Sequence, residues 1–120
     1  MHKQINIGLI SDGPNLIEQD IYRSLKDVFK IHKVFSSGES IPACDIYIVA
    51  VAKAEQILVQ DLRSKISEAH DLLVVSGEQE DLALDRENKV FMYPYKYDVI
   101  TNFPLIIETV YNAGKLRMEA

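Results

Sequence analysis

Asp45-Ile46-Tyr47-Ile48-Val49-Ala50-Val51 is almost purely apolar, rich in β-branched side chains and without polar alternation. Such a run reads as a strand covered on both faces, the central-strand pattern of a parallel sheet. Working outward from it, the nine residues Ser36 to Cys44 include Gly38 and Pro42. They leave room for one helical turn at most, not a normal crossover helix. Before them Ile31 to Phe35 forms a short strand. After the central run, Ala54 to Ala69 places Leu58, Leu62, Ile66 and Ala69 on one helical face, and Leu72-Leu73-Val74-Val75 is the next strand, ending at Ser76-Gly77.

Toward the N-terminus, Ile5 to Ile10 reads as the first strand and stops at the turn cluster Ser11-Asp12-Gly13-Pro14, with Pro14 suited to the first turn of a helix. Ile17, Ile21, Leu25 and Val28 make the apolar stripe of that helix. Toward the C-terminus, Glu78 to Asn88 is acidic, a solvated face or at best a frayed helix, and Lys89 to Tyr93 is a fifth strand closed by Pro94. Tyr95 to Thr101 reads as loop. Asn102 suits the cap of a last helix that tolerates Pro104 in its first turn and turns Leu105, Ile106, Thr109, Val110 and Ala113 inward, with Gly114 a late break or a small contact. Strands alternating with helices predict an α/β domain with a parallel sheet.

The chain has 120 residues, enough for one domain spanning 1–120; 48% are hydrophobic and 26% charged, which excludes a disordered tail, a collagen-like chain and a disulfide scaffold. Eighteen acids against thirteen Lys plus Arg give a net charge of −5, so nucleic acid is not expected as a direct partner. The single cysteine, Cys44, reads as a small buried residue and suits a reducing cytoplasm. The longest apolar run, Ile46 to Ala52, is far short of the roughly 20 residues that span a bilayer, so no membrane partner is expected. Met1-His2-Lys3-Gln4 leads straight into a strand, with no signal peptide visible, and a cytoplasmic location is expected. His2, His32 and His70 have no metal-ligand spacing, and there is no glycine-rich phosphate cradle, no hydroxyl-rich flavin loop and no catalytic triad spacing. Neither cofactor nor enzymatic activity is expected.

Five strands in this order look like the flavodoxin-like, doubly wound sheet of order 2-1-3-4-5. More specifically, the chain resembles over its whole length the receiver domains of two-component response regulators. Ser11 and Asp12 stand where receivers carry an acidic pair that holds Mg²⁺. Ala50, five residues after Asp45, stands where they carry the phosphorylated aspartate. Ser76 matches the hydroxyl that takes a phosphate oxygen, and Tyr93-Pro94 matches a Lys-Pro pair. The resemblance therefore implies a receiver frame whose phosphotransfer chemistry is gone, with a methyl group at 50 and Asp12 as a weak metal candidate at most. Asp12 reads equally as a turn or capping residue. A cis Tyr93–Pro94 bond is implied by the same resemblance.

Receivers carry a full helix before strand three and another before strand five; here the first is missing or one turn and the second short. One sheet face is then under-covered, which predicts an exposed apolar patch from the second strand and parts of the first and third, and a protein partner or homodimer mate to cover it. Tyr93, Tyr95, Lys96 and Tyr97 form a candidate interaction surface, Tyr93 and Tyr95 reading equally as packing against the edge helix. The function expected is a non-catalytic regulatory module. The alternative is a phospho-receiver with relocated chemistry, or a small flavodoxin-like enzyme, using Ser11, Asp12 and Ser76. Atypical receivers occur alone and as front domains of larger proteins, and Lys115 to Ala120 would fit a helix running on into a next domain.

Overall fold

The computed structural model describes residues 5–11, 13, 15–35, 41, 43–54, 56–66, 71–79 and 90–119, and the side chains of 35, 54, 56–59, 78, 79 and 114–119 lie outside the description. The elements are β1 (Asn6–Ser11), α1 (Leu16–Leu25), β2 (Lys30–Phe35), β3 (Ile46–Ala54), α2 (Gln56–Lys65), β4 (Leu72–Gln79), β5 (Val90–Pro94), α3 (Tyr97–Thr101) and α4 (Phe103–Glu119). All strand pairs are parallel and the sheet order is β2-β1-β3-β4-β5, an α/β arrangement of the flavodoxin-like kind. The short connection after β2 carries no helix among its described residues, and the segment between β4 and β5 lies outside them, so the short fourth helix is not among the described elements.

Side-chain alternation splits the strands between two cores. Ile7 and Leu9 of β1, Ile46, Ile48 and Ala50 of β3, and Leu73 and Val75 of β4 pack with Ile17, Ile21 and Leu25 of α1 and with Phe103 and Ile107 of α4. Ile10, Val34, Tyr47, Val49, Val51, Leu72, Val74 and Val90 face the other way, onto Leu62 of α2 and Ile66 just past its end. β3 contributes to both, as its unbroken apolar run requires.

Three expectations about the helices are corrected. α1 ends at Leu25, so Val28 is half exposed and Phe29 takes the next buried place. Residues 97–101 form α3 rather than loop: the Ile100 N–H donates to the Lys96 carbonyl, and the Asn102 N–H and side-chain amide both donate to the Asp98 carbonyl. α4 runs unbroken through Gly114, and its inward stripe is Phe103, Ile106, Ile107, Val110 and Tyr111, leaving Leu105 63% exposed and Thr109 and Ala113 outside. Both stripes have helical spacing, and the one with two aromatic rings buries more apolar area. Phe103 anchors it, edge-on to Tyr93 at 6.3 Å between ring centroids.

The predicted exposed patch is also corrected. Val34, Ile10, Tyr47, Val49 and Val51 are all buried within the single chain. Tyr47 is paired in register with Gly8, and its ring lies across that glycine so closely that a Cβ there would meet Cδ1 at 2.8 Å. The Tyr47 hydroxyl accepts a hydrogen bond from the Cys44 N–H at 2.9 Å, and Cys44 is itself buried with Ile41 packed beside it. One aromatic ring and the strand entrance thus cover β1 where a crossover helix would lie. Glycine is needed there because the ring takes the space of a side chain.

Candidate functional site

The carboxyl ends of the strands are built around α1. Gly13, at φ 147°, turns the chain through a region that side chains disfavour. Asn15 then caps the helix, its side-chain oxygen accepting from the Glu18 N–H at 2.8 Å. The amide nitrogen of Asn15 donates to the Gly13 carbonyl at 3.2 Å and to the Ala50 carbonyl at 3.1 Å. The cap is therefore Asn15; Asp12 and Pro14 lie outside the described residues. Glu18 is buried, with Ser11 Oγ donating to one carboxylate oxygen at 2.9 Å and Lys33 Nζ on the other at 3.2 Å. Lys33 also sits 4.2 Å from the Tyr22 ring centre, a cation held over an aromatic face. Asn15, Glu18 and Lys33 were absent from the sequence-based candidates, although Asn15 followed three residues later by Glu18 is a helix-start pattern.

Of the receiver-like positions, the sheet joins some and separates others. Ser11 is in register with Ala50, and Val51 with Ser76, which in turn pairs with Pro94. Ser11 faces α1, whereas Ser76 falls in phase with Val74 on the α2 side, so their hydroxyls diverge. Ser76 is 1% exposed and its Oγ finds no hydrogen-bond partner among the described residues. Ala50 is fully buried and does not end its strand: β3 and β4 run on past their neighbours, pairing Lys53 with Glu78 and Ala54 with Gln79. Mg²⁺ of the receiver kind does not fit the donors among the described residues, outside which Asp12 lies. Position 50 offers no carboxylate, Ser11 is spent on Glu18, and the Glu18 oxygens hold Ser11 and Lys33. Among the described residues no group of three or more acidic, His or Cys side chains converges on a metal position.

The Tyr93 to Tyr97 run divides in two. Tyr93 turns inward against Phe103, and the Tyr93–Pro94 peptide is trans, correcting the expected cis bond. Tyr95 is half-buried and donates its hydroxyl to the Asp20 carboxylate, while its N–H donates to the Ser76 carbonyl at 2.9 Å. Lys96 and Tyr97 are exposed, Tyr97 to 83%. Between them and α1 lies an open groove of about 580 Å³, with Asp20, Arg23 and Ser24 on one wall and Tyr95, Lys96 and Tyr97 on the other. Ser24 Oγ donates to the Ile100 carbonyl at 3.0 Å and ties the two walls together.

Three phenols in this molecule resist ionisation. Burial pushes Tyr93 up, with a smaller contribution from the Asp71 carboxylate. Burial raises Tyr47 against the opposing Cys44 N–H. The hydrogen bond to Asp20 raises Tyr95, helped by burial and by the same negative charge. Each folded-state value lies above the ordinary 10.0, so on raising the pH the unfolded chain loses these protons first. Stability is thus whole below the ordinary phenol value and is lost as the pH rises through the folded values. The urea midpoint is expected to fall as the pH climbs past about 10, and Tyr95→Phe to flatten part of that slope. A midpoint constant between about pH 9 and about pH 11 contradicts this.

No helix among the described residues is long and apolar enough to cross a membrane. Comparison with protein-family models, with curated proteins and with solved structures finds no match, so the meaning of this site rests on its own residues and their geometry.

Proposed function

We propose that this chain is a non-catalytic, receiver-like regulatory module of the cytoplasm, acting by protein–protein contact rather than by aspartyl phosphorylation. The observation that carries the reading is the state of position 50. Its side chain is a fully buried methyl group, and its carbonyl is taken by the Asn15 amide that caps α1. A phosphoryl acceptor needs an exposed nucleophile beside cations; position 50 has no nucleophile, and Lys33 is already paired with Glu18. The interaction surface is then Lys96, Tyr97 and the groove beside them, with Tyr93 serving the core. The partner is a protein or a second copy of the chain.

The unpartnered Ser76 hydroxyl favours the second reading, a phospho-receiver or small enzyme with relocated chemistry. Its weakness is that Ser11 is already bonded to Glu18 and faces the opposite side of the sheet. Titrating the labelled protein with Mg²⁺ and beryllofluoride separates the two. The module reading expects amide resonances around Asn15, Ala50 and Ser76 to stay in place. Saturable shifts at these residues at low-millimolar Mg²⁺ would transfer the assignment to the second reading.

A further inference from the structure

We propose that the groove between α1 and α3 takes an acidic peptide segment of a protein partner, its carboxylates paired with Arg23 and Lys96. This rests on the module reading and specifies the partner's chemistry. Arg23 stands on the α1 wall and Lys96 on the other, and among the described residues neither makes an ion pair or side-chain hydrogen bond. Two cations lining one groove without a described ion-pair partner are conspicuous on a chain of net charge −5. The one carboxylate in the groove, Asp20, already accepts the Tyr95 hydroxyl, and the exposed Asp98 of α3 is not part of the lining.

The groove lining therefore sets two cations, Arg23 and Lys96, against one carboxylate, Asp20, an excess of positive charge that favours a negatively charged occupant. Arg23 offers a planar fork that matches a carboxylate, and Lys96 a point charge. An extended chain suits the shape better than a small molecule does. The groove is open to solvent, whereas small ligands are bound with most of their surface enclosed. Apolar surface is also at hand: Tyr97 of the lining is 83% exposed, and Leu16, 71% exposed, lies one helical turn before Asp20 on the same face of α1. Apolar side chains between the acids of the peptide would lie on these two.

The test is a titration of the labelled full chain with a blocked octapeptide of alternating glutamate and leucine, its glutamine–leucine counterpart, and inorganic phosphate. Saturable amide shifts are expected in Asp20–Ser24 and Lys96–Thr101 with the glutamate peptide alone. Binding should weaken about tenfold in Arg23→Gln/Lys96→Gln, two exposed changes that leave the fold intact, and should fall with added salt. Equal binding of the glutamine peptide, equal shifts with phosphate, or shifts confined to another surface each overturn the proposal. Such outcomes leave the module reading standing, since that reading falls only on a beryllofluoride response at Ala50 and Ser76, whatever the peptides do.

Discussion

Tyr47→Ala is expected to destabilise the protein by about 3–5 kcal/mol, the range for deleting a large buried aromatic side chain. That is a large share of the roughly 5–15 kcal/mol that holds a domain together. The reason is topological. The connection from β2 to β3 carries no helix among its described residues, and Tyr47 covers β1 in its place, 4% exposed and lying across Gly8. Removing the ring uncovers Gly8 and leaves the buried Cys44 N–H without its phenol acceptor. Tyr47→Phe isolates that second loss and should cost about 1–3 kcal/mol, the penalty of an orphaned buried amide. Gly8→Ala tests the contact from the other side. Its methyl would meet the ring at 2.8 Å, and overpacking of this kind costs about 1–3 kcal/mol. In Tyr47→Ala/Gly8→Ala the methyl enters space the ring has left, so the two losses should add to less than their sum. Urea unfolding measures all four proteins. A loss below about 1 kcal/mol for Tyr47→Ala, or strict additivity, would show that something else covers this face.

How far the sequence revealed the molecule depended on which forces act locally. The five strands and their order were readable because β-branched runs between turn residues have no other stable use, and parallel pairing follows from the helices between them. Helix phase was less legible. Residues 103–113 hold two overlapping stripes of correct spacing, and only the contact of Phe103 with Tyr93 from β5 selects one. α3 escaped because a five-residue helix carries too few positions to show a period. The under-covered face was inferred from the shortness of the β2–β3 connection, yet a side chain near the start of β3 covers part of it, and no linear pattern marks Tyr47 as different from its neighbours. The site followed the same division. Position 50 and Ser76 were found by counting along strands, whereas Glu18 meets Lys33 of β2, and Asp20 and Arg23 meet the Tyr95–Tyr97 segment, only once α1 is packed in place.

Ala50→Asp is expected to destabilise the protein by about 3–5 kcal/mol without creating a phosphorylation site. If position 50 were merely an aspartate site that had lost its carboxylate, restoring the group would be tolerated and would restore acceptor chemistry. The geometry says otherwise. The methyl group is fully buried in the cluster formed with Ile17, Ile48 and Val75, four residues before the end of β3. Among the described residues, the polar groups at this end of the sheet have partners: the Asn15 amide bonds the Gly13 and Ala50 carbonyls, and Lys33 pairs with Glu18. A carboxylate there would be desolvated without a counter-charge, and it would overfill a packed core. Ala50→Asn separates these costs, having nearly the same volume and no charge. The introduced carboxyl would have its pKa raised by burial, so its penalty is fully expressed once the pH exceeds that raised value. The penalty shrinks as the pH falls toward the ordinary carboxylate value near 4. The stability gap between Ala50→Asp and Ala50→Asn should therefore close on acidification. Incubation of Ala50→Asp with Mg²⁺ and acetyl phosphate should leave its intact mass unchanged. A stable Ala50→Asp protein that gains the mass of one phosphoryl group would mean that the site is open to solvent and metal, and that only the nucleophile had been lost.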